Sequence, residues 1–70
     1  MTPSRPVDTL AETLKTLRNR KKLSQVELAA RAEISRGYLI RLEQGRQDPT
    51  LAVLRRLAKA LNVSVTRLVR

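Results

Sequence analysis

The sequence predicts an all-α domain, a compact bundle of about five short helices. Apolar residues recur at helical spacing in several short stretches, and each of the last four stretches is preceded by a Ser or Thr able to cap a helix start. No stretch alternates in the manner of a half-buried strand. The apolar fraction is 41% with one Tyr and no Phe or Trp, so the core is built of Leu, Val, Ile and Ala.

Residues 1–5 read as a disordered lead-in, with two prolines in the first six positions and Arg5 as an idle basic residue. The domain is expected over 6–70. From about Pro6, Val7, Leu10, Ala11, Leu14 and Leu17 form the apolar stripe of a first helix. Asp8 and Glu12 lie in its early turns and Arg20, Lys21 and Lys22 in its last, which suits the helix dipole.

Ser24 and Glu27 have the spacing of a capping box, and Leu23 and Leu28 that of the hydrophobic staple around it. Ser35 can cap another helix, with Ile34 and Leu39 as its staple. Small Ala29 and Ala32 let the two helices approach closely. The connection is too short to hold anything else, so residues 24–45 read as a helix-turn-helix. Its second helix directs Leu39 and Leu42 inward and leaves Arg36, Gly37, Tyr38 and Arg41 nearer the other side. After Gly45, a left-handed cap, Arg46-Gln47-Asp48-Pro49 forms a polar loop. Thr50 caps a fourth helix with the stripe Leu51, Leu54, Leu57, Ala58 and Leu61, while Arg55 and Arg56 are expected in solvent. Ser64 caps a short fifth helix, with Val63 and Leu68 as its staple.

Composition narrows the function. Seventy residues make one small domain, and 15 Lys and Arg against 6 Asp and Glu give a formal charge of +9, which favours a polyanionic partner. With no Cys and no His there is no disulfide framework, no Cys/His metal site and no imidazole catalyst. An enzyme reading lacks its parts, and no metal, cofactor or small-molecule ligand is implied. The scarcity of aromatics weighs against single-strand platforms, which stack bases on such side chains. No apolar run approaches a membrane span and the N-terminus lacks the apolar stretch of a signal peptide, so the chain is expected in the cytoplasm.

With these elements placed, the chain resembles the phage repressor and Cro-type (XRE-like) family of helix-turn-helix transcriptional regulators, which includes small controller-type regulators. The resemblance runs from about Leu14 to Leu68. It is carried by Arg18, Leu23-Ser24-Gln25, Leu28-Ala29, Ile34-Ser35-Arg36, Leu42-Glu43-Gln44-Gly45, Pro49-Thr50-Leu51, Ala58 to Leu61 and Val63-Ser64-Val65. The chain departs from the family at Lys22, Glu33 and Asn62, where Gly is usual at a left-handed helix end. Asn suits that backbone and Lys and Glu do not, so the turn before the third helix is expected either to carry roughly 1 kcal/mol of strain or to be wound differently.

The resemblance implies a lambda-repressor-like DNA-binding domain whose third helix lies in the major groove of double-stranded DNA at a pseudo-palindromic operator. On that docking, Arg36 is the first candidate for base readout and Arg41 the second. Ser35 reaches a base or a phosphate, Gly37 permits close approach, Tyr38 donates to a phosphate, Gln25 meets a phosphate at its helix start, and Arg46 lies in a loop beside the backbone. Plain solvent exposure is the competing reading of each. Arg18 lies on the inner stripe of the first helix and Glu43 beside Leu39 and Leu42, and the family pairs Arg with Glu at these positions. An Arg18–Glu43 ion pair is therefore expected, against the alternative of two unrelated surface charges.

One recognition helix reads few base pairs, so a homodimer is expected, with Val63, Val65 and Val69 at its interface. The rival is a monomer with Val65 and Val69 folded onto the fourth helix. A second functional class, a protein-binding module such as an antitoxin or bridging factor, would show in an exposed Ile40. The sequence leaves the operator, and whether binding represses or activates, open.

Overall fold

The computed structural model describes residues 6–69, with side chains from Thr9 onward. Five helices follow one another: α1 (Pro6–Arg20), α2 (Gln25–Ala32), α3 (Arg36–Glu43), α4 (Leu51–Leu61) and α5 (Val65–Val69). The expected lead-in with Arg5, the side chains of Val7 and Asp8, and Arg70 lie outside the described residues.

Four helix ends close by the same pair of hydrogen bonds around one left-handed residue. After α1 the N–H of Lys22 (φ 57°) donates to Asn19 O at 3.0 Å and that of Leu23 to Arg18 O at 3.1 Å. The pattern recurs at Glu33 (φ 58°), Gly45 (φ 71°) and Asn62 (φ 59°), where the N–H groups of Ile34, Arg46 and Val63 reach back to Ala29, Arg41 and Ala58. These bonds satisfy carbonyls that a helix end leaves without partners. Of the two alternatives for Lys22 and Glu33, the chain adopts the left-handed one.

Three of these corners continue identically: a left-handed residue, an apolar residue, then Ser. In Lys22-Leu23-Ser24, Glu33-Ile34-Ser35 and Asn62-Val63-Ser64 the apolar residue packs on or within the core and the Ser side chain accepts from the backbone N–H three residues on. Ser24 also donates its own N–H to Glu27 at 2.9 Å, which closes the capping box and holds the Glu27 carboxyl below the usual carboxylate range. Thr50 caps α4 by accepting from Val53 N–H at 3.1 Å.

α2 packs on α3 and α4, α1 on α3 and α5, and α4 on α5. The helices meet over Leu14, Leu28, Leu39, Leu42, Leu57, Leu61 and Leu68, all fully buried. Fully burying such a side chain is worth about 1.5–3 kcal/mol, so Leu supplies most of the cohesion.

Two expectations for α4 require correction. Leu51 does not join the closing stripe; it is 55% exposed, and Val53 is buried instead. Both lie at edges of the stripe, and the packing of α2 on α4 selects the Val53 edge. Arg56 is not simply solvated: its Nε donates to Ala32 O at 3.0 Å, placing a cation on a carbonyl at the C-terminus of α2.

A non-Gly residue in the left-handed region costs energy that Gly does not incur. Glu33 is exposed there, so Glu33→Gly should stabilise the fold by about 1 kcal/mol, read as a higher melting temperature. An unchanged or lower value would mean that the corner carries no strain.

Candidate nucleic-acid interface

α3 is held from below and open above. Its inner face buries Leu39, Leu42 and Glu43, and its outer face leaves Arg36, Gly37 and Arg41 exposed. Ser35, exposed at the start, accepts from Tyr38 N–H at 3.0 Å, which leaves its own O–H free to donate outward.

The support is a polar cluster at the junction of three elements. Arg18 of α1 donates from Nε to Glu43 Oε2 at 2.7 Å and from Nη2 to Oε1 at 3.1 Å, a two-pronged ion pair. Its Nη1 donates to Leu23 O at 3.0 Å, in the corner between α1 and α2. Gln25, the first residue of α2, donates from Nε2 to Glu43 Oε1 at 3.1 Å. The Arg18 side chain is 14% exposed and that of Glu43 only 3%. The hydrogen bond to Glu43 raises the Arg18 pKa above its ordinary value.

Gln25, expected to face a phosphate, is half-buried and already engaged with Glu43. A carboxamide has two N–H donors, so the second remains for an external oxygen. The sequence reading missed the inward bond, because Gln25 and Glu43 lie on different helices and share no periodicity.

Farther along the outer face, the Arg41 Cζ lies 5.9 Å from the centre of the Tyr38 ring and its Nε donates to Gln47 Oε1 at 3.4 Å. Tyr38 is half-buried against the core. A Cβ at Gly37 would meet Arg41 Nη1 at 3.6 Å, an ordinary contact, so nothing inside the domain demands Gly there. Gly in a helix costs about 1 kcal/mol relative to Ala, and no contact among the described residues calls for it. Arg46 is exposed just beyond α3.

Two expectations for other surfaces are corrected. Ile40, the sought trace of a protein-docking face, is half-buried rather than exposed. Val65 does not lie bare: with Val63 it is half-buried and packs against the core, because α5 rests on both α1 and α4. Val69 alone of the three is well exposed, at 54%. Among the described residues there is no group of His, Cys, Asp and Glu that could hold a metal ion, and no helix long and apolar enough to cross a membrane.

If the cluster fixes α3 on α1, Arg18→Ala and Glu43→Ala should each cost about 3 kcal/mol, and the double mutant less than the sum. Urea denaturation of the four proteins measures this. Additive losses would show that the two charges do not stabilise one another.

The family model described as helix-turn-helix matches residues 14–68. The chain is 39% identical over 61 residues to the immunity repressor protein of Bacillus phage phi105, covering 87% of this chain and 42% of that protein, so it spans less than half of that relative's length. It is 42% identical over 59 residues to the control protein C.SmaI of Serratia marcescens, covering 84% of this chain and 70% of the other. Among solved structures it is similar to the restriction-modification controller protein C.AhdI of Aeromonas hydrophila, with a TM-score of 0.86 and 31% identity over 89% of this chain and 94% of that one.

Proposed function

Since the chain belongs to the helix-turn-helix family, we propose that it is a sequence-specific regulator of transcription that binds double-stranded DNA, with α3 in the major groove of a pseudo-palindromic operator. One observation carries this reading: a helix buried on one face by Leu39, Leu42 and Glu43 presents Arg36, Gly37 and Arg41 together on the other. The relatives named above are an immunity repressor and control proteins, which supports a regulator rather than an enzyme. Such a chain, carrying +9, works on bacterial or phage DNA, in the cytoplasm and at the nucleoid.

In this proposal Arg36, at the first position of α3, offers two parallel donors to a guanine, and Arg41 is a second reader. Gly37, over which Arg41 Nη1 lies, keeps that guanidinium close to the helix backbone at the groove wall, while Ser35 and Tyr38 donate at its margins. The second N–H of Gln25, with the uncapped amides of the first turn of α2, takes a phosphate oxygen, and Arg46 takes another beyond α3.

The working form is a homodimer, because a single α3 spans too few base pairs and two half-sites lie about one helical turn apart. Val69 is the apolar centre of the proposed contact, with Val63 and Val65 at its edge. A patch this small associates weakly alone and more strongly when both copies share one DNA.

Affinity should fall steeply as salt rises, through release of counterions from phosphates. On a duplex selected from random sequence, Arg36→Ala should cost about 1–3 kcal/mol and relax preference at one base pair, whereas Gln25→Ala should weaken all duplexes alike. Equal affinity of the wild type for selected and random duplexes would overturn the reading.

For the dimer, Val69→Asp is the informative change, since Val65 also supports the fold. Stability should stay within about 0.5 kcal/mol, sedimentation should show monomers, and binding to a full site should fall more than to a half-site. A wild-type protein that is monomeric at high concentration and on its best site would refute the dimer.

A further inference from the structure

The outer face of α3 carries an arrangement that exposure alone does not require. Arg41, although exposed, lies back along the helix, and three groups mark its place. Its Cζ is 5.9 Å from the centre of the Tyr38 ring, its Nη1 lies over Gly37 where a Cβ would come to 3.6 Å, and its Nε donates to Gln47 Oε1 at 3.4 Å. Tyr38 and Gly37 belong to the same helix, and Gln47 comes from the loop after Gly45, so the loop reaches back to the recognition helix.

A long Arg side chain loses rotamer freedom when it is fixed, and a reader held beforehand loses less on binding. The bond to Gln47 also decides which donors are left. With Nε engaged, Nη1 and Nη2 have no partner among the described residues, and these two make the end-on fork that matches guanine O6 and N7.

We propose that Gln47 is a positioning residue for Arg41: it holds the guanidinium over Gly37 and beside Tyr38 with its outer fork turned to the DNA, and it contacts no base itself. The inference rests on the DNA-binding reading above and adds to it a role in specificity for a loop residue.

The test compares wild type, Gln47→Ala, Gln47→Glu, Arg41→Ala and the Gln47→Ala/Arg41→Ala double mutant on the selected duplex and on its single-base-pair variants. Arg41→Ala should reduce discrimination at one base pair by about tenfold, and Gln47→Ala should reduce it at that same pair by about fivefold. The double mutant should discriminate no worse than Arg41→Ala, since the two act as one unit. Gln47→Glu keeps the acceptor and adds a negative charge, so it should retain the base preference while binding every duplex more weakly. Melting temperatures should not separate Gln47→Ala from wild type.

If Gln47→Ala lowers affinity without altering preference, or alters it at a different base pair, the positioning role is overturned while the DNA-binding reading stands. If the wild type itself shows no preference among duplexes, the DNA-binding reading falls and the positioning role with it.

Discussion

The carboxylate of Glu43 is the group on which the placement of α3 depends. Left alone, a buried carboxylate would carry a desolvation penalty of several kcal/mol. Here it accepts from two nitrogens of Arg18 and from Gln25, and Arg18 spends its remaining terminal nitrogen on Leu23 O. One charge pair therefore ties α1, the corner after it, the start of α2 and the end of α3 into a single unit. Burying ions returns little net energy, so an apolar pair of similar volume gives comparable stability. What such a pair would lack is direction: hydrogen bonds between a planar guanidinium and a carboxylate fix rotation and register as well as distance. The outer face of α3 inherits its aim from that geometry.

Much of this was legible in the sequence, because it is local. Ser24 with Glu27, Ser35, Thr50 and Ser64 mark helix starts through bonds to residues three positions away, and Lys22, Glu33 and Asn62 mark ends by the backbone they must adopt. The Arg18–Glu43 approach was readable because each residue lies on an inner stripe where a lone charge would be costly, and because the family that the chain resembles pairs Arg with Glu at these positions. What escaped was set by neighbours in space. Helical geometry of about 100° per residue puts Leu51 and Val53 at opposite edges of one stripe, and only the position of α2 decides between them. The bonds of Arg56 to Ala32 O and of Gln25 to Glu43 join separate helices, and no spacing within one helix announces them. Val65 belongs with these: it is covered only because α5 rests on both α1 and α4, which its spacing within a five-residue helix does not reveal.

The charge balance divides the acidic residues by task. Glu43 is consumed inside, and Glu27 answers the Ser24 backbone at a helix start. Neither projects from the outer face of α3, where Arg36 and Arg41 meet no carboxylate among the described residues. Two of the six acidic residues thus serve the domain's own architecture, and the outer face of α3 carries Arg36 and Arg41 without a carboxylate of its own.

The recurring corner of a left-handed residue, an apolar residue and Ser has a consequence for how the chain finds its fold. Each corner ends one helix and begins the next within three or four residues, three in Glu33-Ile34-Ser35, so little loop entropy is lost in bringing α2 onto α3. Contacts that are near in sequence form quickly, and helical domains of this kind fold in microseconds to milliseconds. The contact of α5 with α1 joins nearly opposite ends of the chain and has the longest loop to close. Assembly is thus expected to begin at the α2–α3 corner, with the helix that faces outward among the first parts in place and the apolar end of the chain among the last.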